Sequence, residues 1–200
     1  MDIFAHKEVT GALAAALELY CYYPYYRGIL KGETKPHVFT WFLWGLLGAI
    51  ACAAQFNGNA GPGAWATGVA SLGAFGIALI AFRQGEKHIT RSDRVSFMVA
   101  LSAIPLWYFT KNPVWSVALV TLIDALAFYP TFRKSWLKPG QEVISTYVFS
   151  VLQGVLALVS MIEISFVTSF YPASLVLMNG LFVITLLWRR RVQAHQKLSG

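Results

Sequence analysis

Two carboxylates stand alone inside long apolar runs: Glu18 and Asp124, each six residues ahead of a proline (Pro24, Pro130) and nine ahead of an arginine (Arg27, Arg133). If those runs cross a bilayer, a charge near the middle costs about 2.5–3.5 kcal/mol on insertion scales, so such an acid faces a cavity and performs a task. Asp124 is the better site for taking up a proton on one side and releasing it on the other. Glu18, nearer the outer surface, is a second ionisable site for coupling. The alternative for both is structural: a carboxyl group bonded to polar groups of a neighbouring helix. The prolines carry their own consequence. A proline at position i cannot donate to the carbonyl at i−4, which frees the Tyr20 and Leu126 carbonyls and predicts a bend in each run. Matched bends beside a cavity would act as hinges; the plainer reading is that each proline ends or bends its helix near the membrane edge.

Further polar residues fall on shared faces. Thr146, Ser150, Gln153, Gly154, Ala157 and Ser160 follow steps of three and four, the spacing of one helix face. Thr40, Trp44, Gly48, Ala51 and Gln55 form the corresponding stripe in an earlier run. Gln153 suits a cavity wall, with Thr146 and Ser150 beside it, whereas Gly48 and Gly154 suit close helix packing. Aromatic residues crowd the first part of the chain, most of them fitting the interfacial belt of a membrane protein. Tyr22 and Trp44, whose faces agree with Glu18 and Thr40, are assigned to the cavity. His6, His37, His88 and His195 lie at run edges and read as solvated. Cys21 and Cys52 read as small buried hydrophobes. No metal-site spacing, phosphate-binding loop or nucleophile elbow is present, so neither a metal nor a cofactor is expected, and the chain does not read as an enzyme.

The elements that must position these groups follow from composition. In 200 residues, 56% are apolar and only 12% charged, about half the charged share of an ordinary soluble domain. Seven apolar runs approach the ~20 residues of a membrane span: 8–29, 37–56, 64–83, 94–110, 113–133, 142–161 and 165–189. The first lacks the basic start of a signal peptide and is kept as a span. Of the sixteen basic residues, fourteen fall on one side of this arrangement and only Lys7 and Lys111 on the other. That asymmetry predicts an outer N-terminus and a cytoplasmic C-terminus. It also accounts for the net charge of +7 without nucleic acid, and it suits anionic lipid headgroups. Ser92 or Asp93 is placed as the N-cap of the fourth helix, and the loop 57–63 is rich in turn residues.

Residues 9–83, moved forward by 106, lie on residues 115–189 without a gap, and the carboxylate, proline and arginine of each half coincide. Three spans per copy need a linker helix if both copies are to share one orientation, which makes the repeats parallel. The predicted architecture is therefore all-α: a first three-helix repeat over 1–83, a linker helix in 84–112, a second repeat over 113–189 and a basic cytoplasmic tail over 190–200. With Pro24-Tyr25-Tyr26-Arg27, Thr40-Trp41 and Tyr129-Pro130-Thr131-Phe132-Arg133, this 3+1+3 plan resembles the SWEET and PQ-loop carriers, although neither copy holds a Pro-Gln pair. By that resemblance Asn179 corresponds to a substrate-contacting asparagine. Its repeat partner is Gly73, so the paired asparagines of such carriers are not reproduced.

The expectation is a multi-pass carrier of the cytoplasmic (inner) membrane, moving a small polar solute by alternating access. Pro24 and Pro130 are its hinges, Asp124 and Glu18 its ionisable sites, and Gln153, Asn179, Thr146, Ser150, Tyr22 and Trp44 its solute contacts. The competing expectation is a non-transporting receptor or scaffold for cargo or lipid that uses the same fold. Substrate identity and homo-oligomer formation are left open by the sequence.

Overall fold

A computed structural model describes residues 3–32, 36, 38–85, 91–102, 105, 109, 112–137, 139 and 144–198. Glu33, Thr34, Lys35, His37, Lys87, His88, Lys111 and Lys138 lie outside them, as do the side chains of Thr40, Ser92, Asp93, Pro130, Arg133 and His195. The described chain is helical, with α1 (Ile3–Leu30), α2 (Val38–Asn57), a 3₁₀ turn (Gly61–Ala64), α3 (Trp65–Gln84), α4 (Arg91–Leu101), α5 (Pro113–Leu137), α6 (Ile144–Val159) and α7 (Phe166–Leu198), and it contains no strand. Gly61–Gln84 and Phe166–Ala194 are long and apolar enough to cross a membrane; Trp41–Asn57, Pro113–Ala125 and Ile144–Val159 are shorter apolar stretches.

One boundary differs from expectation: α4 begins at Arg91, which puts Ser92 and Asp93 inside its first turn instead of at its cap. α7 continues through 190–198, so this basic stretch is helical. Arg, Gln, Ala, Lys and Leu are strong helix formers and extend a helix already nucleated by packing.

Local chemistry explains how the helices meet. Gly48 brings α2 against α3, where a Cβ on it would sit 3.2 Å from the Ser71 Cβ. The Ser71 hydroxyl donates to the Gly45 carbonyl at 2.7 Å. Small residues and interhelical hydrogen bonds of this kind join apolar helices closely. α7 starts with a reciprocal cap: the Ser165 N–H donates to Thr168 Oγ1 at 2.8 Å and the Thr168 N–H donates to Ser165 Oγ at 3.3 Å. At the other end of α7, Arg189 and Arg190 donate to the carbonyls of Trp136 and Pro139, which terminates α5 on cationic donors.

The packing has the same form in both halves of the chain. α3 lies against both α1 and α2, and α7 lies against both α5 and α6. Across the halves the pairing is reciprocal: α1 packs on α6, and α2 packs on α5. α4 rests on α2, with the Phe39 and Phe97 rings stacked at 4.6 Å. Away from these contacts the helices carry bare apolar faces, such as Leu72 and Leu79 of α3, which are 73% and 70% exposed.

One end of the bundle holds Lys7, the α2–α3 turn and the α6–α7 turn; Arg27, Arg83 and Arg189 to Arg191 gather at the other. The buried apolar clusters lie toward the Lys7 end. One joins Leu47, Ala51 and Ala54 of α2 to Val117 and Val120 of α5 and Tyr171 of α7. A second joins Ala14, Ala66 and Ala157 of α1, α3 and α6.

Candidate functional site

Between the two triple-helix groups lies a cavity of about 250 Å³. α1 contributes Glu18 and Tyr22 to its wall, α2 Trp44 and Gly48, α3 Thr67, Ala70 and Ala74, α5 Asp124, α6 Ser150, Gln153, Gly154 and Ala157, and α7 Tyr171, Pro172, Leu175 and Asn179. Seven residues singled out from sequence therefore surround one space: Glu18, Asp124, Tyr22, Trp44, Ser150, Gln153 and Asn179. Thr146 does not reach it. It is exposed one turn away, and its carbonyl accepts the Ser150 hydroxyl at 3.0 Å. Pro24 lies inside α1 on an exposed surface, away from the cavity. Pro130 lies within α5, its side chain outside the described residues.

Asp124 is 9% exposed. Among the described residues neither Asp124 nor Glu18 makes a hydrogen bond or an ion pair. Asn179, 8% exposed, donates one of its two side-chain N–H groups to the Leu175 carbonyl at 2.8 Å. A helix carbonyl can only accept, so this bond fixes the amide orientation and leaves Asn179 Oδ1 as an acceptor without a partner among the described residues. The Tyr22 hydroxyl donates to the Ala70 carbonyl at 2.9 Å, and its ring lies over Gly73, where a Cβ would come within 3.0 Å of it. The Tyr22 ring occupies the place that a side chain at position 73 would take.

Tyr171, Pro172 and Thr67 complete the wall and were missed from sequence. Pro172 removes the donor to the Thr168 carbonyl within α7, so among the described residues it is the proline inside a helix that also lines the cavity. Its signal was legible as a third Tyr-Pro pair after Tyr23-Pro24 and Tyr129-Pro130; the 106-residue offset that aligns those two pairs lays Pro172 on Ala66.

The Lys7 end is shut above this space. The Ile162 N–H donates to the Ala60 carbonyl at 3.0 Å and the Glu163 N–H to the Asn59 carbonyl at 3.2 Å, tying the α2–α3 turn to the α6–α7 turn. Asn59 and Gly61 hold φ of 59° and 60° to make that turn. The Lys7 ammonium donates to the Met161 and Ile162 carbonyls just beyond the end of α6, where a cation meets the negative end of the helix dipole. Cys52 is half-buried there, its thiol 3.7 Å from the Ala64 carbonyl.

Comparison with known protein families, curated proteins and solved structures finds no match to this chain. The chemistry of the site therefore rests on its own groups. Among the described residues no set of three or more His, Cys, Asp or Glu is placed to hold a metal ion. The cavity offers neutral donors and acceptors, aromatic faces and two carboxyl groups, an arrangement suited to binding.

Proposed function

We propose that this chain is a membrane carrier of seven spans, two parallel three-helix halves around a linker helix, with an outer N-terminus and a cytoplasmic C-terminus. It moves a small polar solute across the cytoplasmic membrane by alternating access. The observation that carries this reading is the cavity between the halves, walled by Glu18, Asp124, Gln153 and Asn179 and shut toward the Lys7 end. Polar groups without partners belong in a membrane protein where they meet a solute or water. The bare apolar faces of α3 and α7 support a lipid surround, since soluble monomers rarely expose large contiguous apolar patches. The reciprocal pairing of α1 with α6 and of α2 with α5 supports a duplicated unit with an axis along the membrane normal. Gln153 and Asn179 bind the solute, Asp124 and Glu18 are the ionisable pair, and Pro24, Pro130 and Pro172 let the halves bend.

The test is one-sided access. Ser150→Cys is introduced into a chain with Cys21→Ala and Cys52→Ala, reconstituted in sealed vesicles and exposed to a membrane-impermeant thiol reagent from either side. A carrier reacts from one side at a time; a receptor or scaffold with packed, satisfied groups reacts from neither. In the same vesicles Asp124→Asn is expected to abolish the pH dependence of solute uptake, and unchanged uptake at every pH would remove Asp124 from the mechanism.

A further inference from the structure

The groups left unspent around the cavity define what it accepts. Three donors on the wall are already committed to helix carbonyls: the Tyr22 hydroxyl to Ala70, the Ser150 hydroxyl to Thr146 and one Asn179 side-chain N–H to Leu175. Asn179 keeps a second N–H, and the Gln153 amide and the Thr67 and Tyr171 hydroxyls add neutral donors and acceptors to the wall. To these are added the Asp124 and Glu18 carboxyl groups, neither of which has a partner among the described residues. Among the described residues no lysine, arginine or histidine lines the cavity, and the basic residues of the chain lie toward the helix ends and turns. The described groups facing the two acids are neutral on every element: Tyr22, Trp44, Thr67, Gln153, Tyr171 and Asn179.

Carboxylates held this way are uncompensated, and an anion entering between them meets repulsion strengthened by the low dielectric. A neutral polyol could bond to the wall but would leave both acids without a counter-charge. A cation supplies that charge, and the Tyr22, Trp44 and Tyr171 rings offer faces that attract it further. A volume of about 250 Å³ falls just under the ~300–1,000 Å³ of drug-sized sites, which limits the guest to a small one.

We infer that the solute is a small organic cation, an ammonium or a cationic nitrogen heterocycle, with its charge between Asp124 and Glu18 and a donor or polarised C–H on Asn179 Oδ1. This rests on the cavity being a solute site, as proposed above.

The experiment is thermal unfolding of the full chain in detergent with choline, ethylammonium and N-methylpyridinium, against 3,3-dimethylbutan-1-ol, the uncharged isostere of choline, and against sodium, potassium and magnesium chlorides. At about 10 mM, enough to fill a site of millimolar Kd, at least one organic cation raises the unfolding temperature saturably and the isostere does not. Asp124→Asn and Glu18→Gln each weaken that cation about tenfold or more, the loss of one charge-assisted contact. Choline and its isostere are compared on the native chain, so that result stands whether or not the variants fold. No shift from any of the three cations, an equal shift from the isostere, or the same shift from the inorganic salts overturns the inference. Vesicle uptake separates it from the carrier reading. Binding without uptake leaves the cation site standing and removes the carrier, whereas uptake of an uncharged or anionic solute that none of the cations inhibits keeps the carrier and removes the cation site.

Discussion

The two ends of the bundle are closed by different materials. At the Lys7 end, backbone meets backbone or the root of a side chain: a Cβ on Gly11 would lie 2.7 Å from the Pro62 carbonyl oxygen, and one on Gly63 would lie 2.8 Å from the Ala157 carbonyl oxygen. Toward the arginine end, where Gly85 also meets the Pro36 carbonyl and Arg189 and Arg190 hold the end of α5, many of the contacts are rings. Tyr25 meets Trp41 at 4.6 Å, Trp41 meets Trp44 at 5.0 Å and Tyr147 meets Phe182 at 4.4 Å. A ring yields by rotating about its χ angles, whereas a seal of main chain in a close-packed surround yields only when whole helices slide. The difference teaches that, if the chain is the carrier proposed above, its two gates need not work alike: the arginine end would admit a guest through side-chain motion, and the Lys7 end would open only as the halves move as bodies.

Four substitutions break or sharpen that contrast. The largest effect is expected from Gly63→Leu, which drives a side chain into Met161 and the Ala157 carbonyl and should destabilise the protein by about 3 kcal/mol, read as a lower unfolding temperature in detergent. A tolerated leucine would mean that the seal is soft. Next is Gln55→Met. Gln55 is fully buried near the same end, and both polar atoms of its side chain lack partners among the described residues, so the change should stabilise by about 1–3 kcal/mol. Destabilisation instead would show the seal to be polar. Lys7→Met removes the ammonium from the Met161 and Ile162 carbonyls and should cost about 1 kcal/mol; it should also quicken labelling of Ser150→Cys from the Lys7 side, and an unchanged rate would show that Lys7 does not hold the gate. The smallest effect belongs to Gly180→Ala on α7, where nothing lies within 4 Å of the added Cβ. Unfolding there should show a gain of about 0.5–1 kcal/mol from helix propensity, and a loss would reveal a contact that opens and closes.

Much of the site was legible because its residues break a strong pattern. Glu18 and Asp124 stand out only because everything around them is apolar, and Gln153 and Ser150 because their spacing selects one face. Tyr22 and Trp44 followed from sharing those faces. The faces gave direction without reach: Thr146 lies on the right stripe, yet it is one turn beyond the cavity, because a helix face runs the length of the helix and a cavity does not. Thr67 was illegible for the opposite reason, since it enters the wall through the crossing of α3 with other helices and no local pattern marks it; Tyr171-Pro172 shows as a third Tyr-Pro pair, but the pair does not tell which helices it will meet. The pairing of the two turns at the Lys7 end joins residues about a hundred positions apart, a distance at which turn composition predicts a bend and says nothing of what it touches. The Ser92 and Asp93 cap failed because Arg91 already belongs to the helix, a displacement of one or two residues that helix-end signals do not resolve.

The length of α7 gives the protein a lever. Pro172 sits beside the cavity and the helix runs on to Leu198, an arm of roughly 39 Å at 1.5 Å per residue. A flexion of about 20° at that proline, the scale of proline kinks, would swing the far tip by roughly 13 Å. Arg189 and Arg190 are fastened to the end of α5, so the sweep would drag the Asp124 helix with it. A spin label near the tip would then register, at a distance, whether the chamber is empty or filled.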